Sequence, residues 1–212
     1  MPKKIIVRIP SGSTGAFLAP PCCGKGTFCR KLNSFIPGLH ISTGELFRSM
    51  KNPEFNNVMA GGGLIENDTT LNILRNHVNQ SFDRNTHQML WLDGFPRDEQ
   101  QVGMLHQIAI GKVFIIHLKI NNNDVIRRFR RSLEKDEERS TRLDNSIATF
   151  TRRLEEYRIK ETKIVSCAHA LKIPVIKREI SNTEIAAEIF YFKHIHPEKT
   201  HKHVHQPHTA RY

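Results

Sequence analysis

The chain has 212 residues, of which 32 are Lys or Arg and 21 are Asp or Glu, for a formal net charge of +11, and its hydrophobic share is 38%. That length and apolar content suit one compact domain with small inserts and exclude collagen, a coiled coil or a largely disordered chain. The longest apolar runs, such as residues 113–116, fall far short of the ~18 residues a membrane-spanning helix needs.

The excess of cations implies an anionic partner. Nucleic acid, an acidic membrane surface and small polyphosphates all satisfy charge alone. The first eight residues are basic but carry no apolar h-region and no small-residue cleavage site, so a cytoplasmic protein is expected. Cys22, Cys23, Cys29 and Cys167 form no CxxC pair and no Cys/His metal spacing, and are expected to be free thiols.

Residues 3–10 offer an extra edge strand, ended by Pro10-Ser11-Gly12-Ser13. Five β-rich runs follow, at residues 15–19, 38–41, 89–92, 112–118 and 173–176. Segments with helical spacing alternate with them: Phe28, Leu32, Ile36; Leu71, Leu74, Val78; and Ile147, Phe150, Leu154, Tyr157. This alternation predicts an α/β fold with a parallel sheet covered on both faces. Ser42-Thr43-Gly44-Glu45 and Ser181-Asn182-Thr183-Glu184 have the capping-box form at strand-to-helix turns. The turn Gly61-Gly62-Gly63 and the charged loop at 132–141 break the rhythm and read as inserts on the ligand side. Residues 191–212 hold six of the twelve histidines and read as a solvated, disordered tail.

Ala19-Pro20-Pro21-Cys22-Cys23-Gly24-Lys25-Gly26-Thr27 lies between an apolar strand and an amphipathic helix. In that setting backbone N–H groups at a helix N-terminus surround phosphates and a lysine reaches their outer oxygens. Ala19, Cys22 and Cys23 stand where small flexible residues are usual. The two cysteines are expected to make the loop sensitive to oxidation, because a thiolate at a helix N-terminus has a lowered pKa.

Four further motifs accompany this loop. They are His40-Ile41-Ser42-Thr43-Gly44-Glu45-Leu46-Phe47-Arg48, Met59-Ala60-Gly61-Gly62-Gly63-Leu64-Ile65, Leu92-Asp93-Gly94-Phe95-Pro96-Arg97 with Gln101, and Arg142-Leu143-Asp144-Asn145 with Arg153-Leu154-Glu155-Glu156-Tyr157. In their order and spacing the five resemble the nucleoside monophosphate kinases, most closely the adenylate kinases of the short-lid type. That resemblance implies a P-loop NTPase-type fold with a five-stranded parallel sheet. It also implies a single kinase domain over residues 1–190, with a monophosphate-binding insert near 44–73 and a short lid near 132–141.

The resemblance implies transfer of the γ-phosphoryl of Mg-ATP to AMP, with Mg2+ as cofactor, ATP and AMP as partners, no membrane and a monomeric chain. Cys22, Cys23, Gly24, Lys25, Gly26, Thr27 and Arg127 would hold ATP, and Arg128 competes with Arg127 for that position. Thr43, Arg48, Gly94, Arg97 and Gln101 would hold AMP. Lys25, Arg97, Arg131, Arg142 and Arg153 would stabilise the transferred phosphoryl, where a guanidinium binds phosphate in bidentate fashion and stays charged.

Asp93 would hold magnesium through water, and Asp144 is a lid carboxylate. Asn145 replaces a usual second aspartate, which is expected to loosen lid closure. Glu66-Asn67 stands where many members have Pro-Asp, a change expected to carry little chemistry. A pyrimidine monophosphate kinase of the same fold stays open as an alternative, as does a catalytically weakened nucleotide- or nucleic-acid-binding protein, which the altered phosphate loop and the basic charge motivate.

Overall fold

The computed structural model describes residues 8–135 and 146–196. Arg142, Asp144 and Asn145, and most of the expected edge strand at 3–10, lie outside them. Five strands form one all-parallel sheet: β1 (Ser13–Leu18), β2 (Gly38–Ser42), β3 (Met89–Asp93), β4 (Val113–Lys119) and β5 (Val175–Glu179), in the order β2-β3-β1-β4-β5. β1 begins two residues before the expected run and β5 lies later than expected. The chain turns at Lys172, whose φ is 56°, and Pro174 enters the ladder only as an acceptor from Ile115 N at 2.8 Å.

Side chains alternate along the strands and load both faces. Phe17, Met89, Trp91 and Phe114 point to one side, against Phe28 and Leu32 of α1 (Lys25–Asn33) and Phe190 of α8 (Thr183–Phe190). Ala16, Leu90, Leu92 and Ile115 point to the other. There they meet Leu71, Leu74 and Val78 of α4 (Asn67–Ser81), Val102 of α5 (Glu99–Met104) and Ile164 of α7 (Ile147–Ala170). Trp91, the single tryptophan, is fully buried. A Cβ on Gly15 or Gly38 of the strands to either side would come within 2.6 Å or 2.5 Å of its ring, so these two glycines open its slot.

The predicted helical stripes are buried except for Tyr157, which is half-buried, and Ile147, which is 70% exposed at the first position of α7. The first predicted cap forms, with Ser42 accepting from Glu45 N, and begins α2 (Thr43–Ser49). The second shifts by one residue, because Asn182 rather than Ser181 accepts from Glu184 N and Ile185 N. Between β2 and β3, α2, α3 (Pro53–Ala60) and α4 enclose a small apolar cluster of Phe47, Met59 and Ile65. This is the region of the expected monophosphate insert. α6 (Asn122–Lys135) runs into the expected lid region, carrying helix as far as Lys135. The expected tail does not leave the fold at Tyr191. A π-helical turn, Tyr191–Ile195, buries Tyr191 and His194, and Ile9 N donates to His194 O at 2.8 Å.

Candidate active site

In this strand order β1 and β3 are neighbours while the chain passes from β1 to β2 beyond β3. That leaves a crevice at the carboxyl ends of β1 and β3, where open α/β sheets bind ligands. The phosphate loop fills its floor. Cys22 has φ 57° and Gly24 has φ 97°, a double left-handed excursion that turns the chain into the N-terminus of α1. A Cβ at Gly24 would lie 3.0 Å from Thr183 Oγ1 and 3.2 Å from Arg128 Nη1. Lys25 follows, its ammonium donating to Pro20 O at 3.3 Å and standing 4.0 Å from Asp93 Oδ1.

Asp93 ends β3 inside this crevice. Burial drives its carboxyl toward the neutral form, yet Lys25, His40 at 3.8 Å and Arg97 outweigh that effect and hold its pKa below the ordinary value. It is therefore an ionised acceptor at neutral pH. Gly94, the next residue, has φ 87°, and a Cβ there would sit 2.3 Å from Thr43 Oγ1 and 2.9 Å from Arg97 Nη2. Thr43 donates to the carbonyls of Asp93 and Gly94 at 3.3 and 3.2 Å, and Arg97 Nε donates to Gly94 O at 2.9 Å. The Phe95–Pro96 peptide bond between them is cis.

These groups line one cavity of about 470 Å3. Lys25, Arg48, Arg97 and Arg153 reach it from four separate elements, and Cys22, Gly24, Gly26 and Thr27 contribute its phosphate-loop side. Thr43, Gly94 and Gln101 line the opposite part. Cys23 lies behind the loop instead, fully buried, and burial pushes its thiol pKa up rather than down. The expected thiolate therefore does not form at Cys23.

Two expected arginines stand away from the cavity. Arg127 is 77% exposed and pairs with Asp124 at 2.7 Å, and Arg131 on the same face is exposed. Their neighbour Arg128 turns inward, donating to Cys23 O and, at 3.0 Å, to Thr183 Oγ1. Of the two competing positions, the structure brings Arg128 to the phosphate loop.

The cavity also receives residues to which the sequence assigned no site role: Arg30, His40, Tyr157 and Lys160. For Arg30, Tyr157 and Lys160 the signal was helical periodicity. Arg153, Tyr157, Lys160 and Ile164 repeat at helical spacing along one face of α7, and Arg30 lies one turn beyond Thr27, donating to its hydroxyl at 3.2 Å.

Asp93 suits magnesium, which keeps most of its waters and takes one or two carboxylates together with substrate phosphates. Among the described residues no group of three or more His, Cys, Asp or Glu gathers into a metal cluster, so a closed, all-protein metal cage is not built there.

Comparison with known proteins agrees with this geometry. The family model described as adenylate kinase matches residues 17–171. The adenylate kinase of Bartonella quintana is 30% identical over 156 residues, covering 68% of this chain and 80% of that protein. The adenylate kinase of Thermosipho africanus is 30% identical over 122 residues, 53% of this chain and 56% of that protein. The uridylate kinase of Saccharomyces cerevisiae is 29% identical over 154 residues, 69% of this chain and 72% of that protein. The chain spans about half the length of the first curated relatives it matches. With more than half of its length matched by that family model, the chain belongs to the adenylate kinase family.

Proposed function

We propose that this chain is a nucleoside monophosphate kinase that transfers the γ-phosphoryl of Mg-ATP to AMP, giving two ADP. The observation that carries the reading is the convergence of Lys25, Arg48, Arg97 and Arg153 on one cavity floored by the phosphate loop. Phosphoryl transfer spreads charge over the peripheral oxygens, so fixed cations and in-line positioning supply most of the catalysis.

In this reading the ATP phosphates lie over Gly24 to Thr27, with the Lys25 ammonium on the outer oxygens. Arg48 and Arg97 hold the monophosphate and Arg153 faces the transferred group, while Arg131, exposed on α6, and Arg142 would join the charge shell on lid closure. Cys22 and Cys23 offer backbone groups, and Arg128 rather than Arg127 serves the donor nucleotide. Asp93 and the Thr27 hydroxyl would hold magnesium, which would offset negative charge on the nucleotide phosphates. Asp144 serves lid closure, which excludes water and so favours AMP over hydrolysis.

The base-facing part of the cavity supports AMP. Thr43 and Gln101 are both buried there, and a glutamine amide offers a donor and an acceptor to an adenine edge. The likeness to a uridylate kinase supports a second reading with a pyrimidine monophosphate as acceptor. A coupled assay with AMP, GMP, CMP and UMP separates the two. AMP is expected to give the highest kcat/KM, and Lys25→Met is expected to lower kcat by at least ~100-fold with the fold intact. Folded protein that forms no ADP from AMP and Mg-ATP rejects this reading. We further propose that the chain works as a cytoplasmic monomer; among the described residues no helix is long and apolar enough to cross a membrane.

A further inference from the structure

Behind Gln101 lies Asn67, the first residue of α4, at the position where the sequence pattern departs from Pro-Asp. At this departure, expected to carry little chemistry, Asn67 makes a direct hydrogen bond to Gln101. Arg97 N donates to Gln101 Oε1 at 2.7 Å. A backbone N–H is a donor in every circumstance, so it fixes which end of the Gln101 amide is oxygen. The amide nitrogen must then face the other way, and it donates to Asn67 Oδ1 at 2.7 Å. That bond orients Asn67 in turn, leaving its nitrogen to donate to Gln100 Oε1 at 2.8 Å. Gln101 N donates to Asp98 Oδ1 at 2.9 Å, which holds the backbone under this amide. With 2% of its surface exposed, Gln101 has little water to replace any partner it loses.

These bonds use one lone pair and one N–H of the Gln101 amide, leaving one of each for a ligand in a fixed order. A base with an exocyclic amino group beside an unprotonated ring nitrogen matches that order, as adenine and cytosine do. A base with a keto oxygen beside a ring N–H, as in guanine and uracil, needs the amide reversed. Reversal would set two donors, Arg97 N–H and the glutamine NH2, against each other, and two oxygens against each other at Asn67.

We propose that Asn67 is a specificity-determining residue, which acts through Gln101 to select an acceptor base carrying an amino group beside an unprotonated ring nitrogen. This rests on the reading of the cavity as a nucleoside monophosphate site.

The test measures dissociation constants of AMP and GMP by calorimetry, together with kcat/KM, for the wild type, Asn67→Leu, Asn67→Ala and Asn67→Asp. In Asn67→Leu and Asn67→Ala the AMP constant is expected to rise roughly fivefold and the preference for AMP over GMP to shrink by a similar factor, the worth of about one hydrogen bond. Asn67→Asp keeps an acceptor at the same place and is expected to keep the preference. Alanine serves as the second variant should leucine impair folding at the start of α4.

An unchanged AMP-to-GMP ratio in both apolar variants overturns the proposal. So does a loss in Asn67→Asp equal to theirs, or a wild type that binds the two nucleotides equally. A wild type that binds AMP selectively but transfers no phosphoryl group overturns the phosphotransfer reading alone, and the variants still decide the role of Asn67.

Discussion

At the level of single residues, Gly94 shows how tightly this part of the cavity is drawn. Its left-handed backbone, and Thr43 Oγ1 lying 2.3 Å from where a Cβ would stand, leave no room for a methyl group. Gly94→Ala is expected to destabilise the protein by about 2 kcal/mol or more and to raise KM for AMP well above KM for ATP, since Thr43 and Arg97 must both move. Thermal unfolding and substrate titration check the two effects separately. The arginines show what could be read at this scale and what could not. Arg48, Arg97 and Arg153 were legible because each sits inside a motif whose spacing fixes its place. The choice between Arg127 and Arg128 was not, because neighbouring residues on a helix differ by about 100° in direction and the sequence carries no mark of which one faces the phosphate loop. Cys23 was misread for a related reason. The helix N-terminus lowers a thiol pKa only where the thiol reaches it, and burial decides the matter here.

At the level of elements, α7 carries one wall of the cavity and is fastened midway by polar contacts. His117, buried near the end of β4, has its Nε2 2.9 Å from Glu161 Oε1 and 3.2 Å from Tyr157 Oη, and Lys119 also pairs with Glu161. Burial, against the opposing pull of Glu161, depresses the His117 pKa to about 4. The same cluster lowers the pKa of Glu161: burial raises it, but the bonds from Lys119 and His117 prevail. A histidine kept neutral in the fold but ionising near its ordinary 6.5 when unfolded loses stability as pH falls from 6.5 towards 4. Glu161, with a depressed pKa, adds a loss of the same sign at the acid end of that window. Urea midpoints measured from pH 7 to pH 4 are therefore expected to decline, with His117 accounting for on the order of 3 kcal/mol. Replacing it with a non-titrating residue, His117→Gln, is expected to flatten the slope. None of this was visible beforehand, because His117 and Glu161 lie far apart in sequence and inside no motif. The strand and helix rhythm was visible, since alternation and 3.6-residue periodicity are local properties. Errors in it fell at Ile147 and at β5, where a helix start and a left-handed turn interrupt the pattern.

Across the whole molecule, the charge of +11 has a partial resolution in the cavity, where several cations meet. Much of the remainder is spread over solvated surfaces such as the outer face of α6, where Arg127 and Arg131 are exposed. Such a field draws anionic nucleotides inward and is screened by salt. Raising ionic strength from about 0.05 M to 0.3 M is expected to increase KM for ATP and AMP by roughly threefold while leaving kcat nearly unchanged, as steady-state assays at several salt concentrations will show. The family, the sheet and the phosphate loop were all legible in the sequence because five ordered motifs constrain one another. The layer of residues behind the ligand was not: the contact between Asn67 and Gln101 joins two segments whose distance is set only by folding.

The lone indole in β3 gives this molecule a built-in optical gauge. Wedged between two glycine backbones with no access to solvent, Trp91 should emit at short wavelength in the native state and shift to the red only when the central strands separate. Adding nucleotides should leave that emission almost still. Fluorescence would thus register loss of the sheet while remaining blind to catalysis, and a red shift on adding AMP and ATP would mean that ligands reach deeper into the fold than its floor suggests.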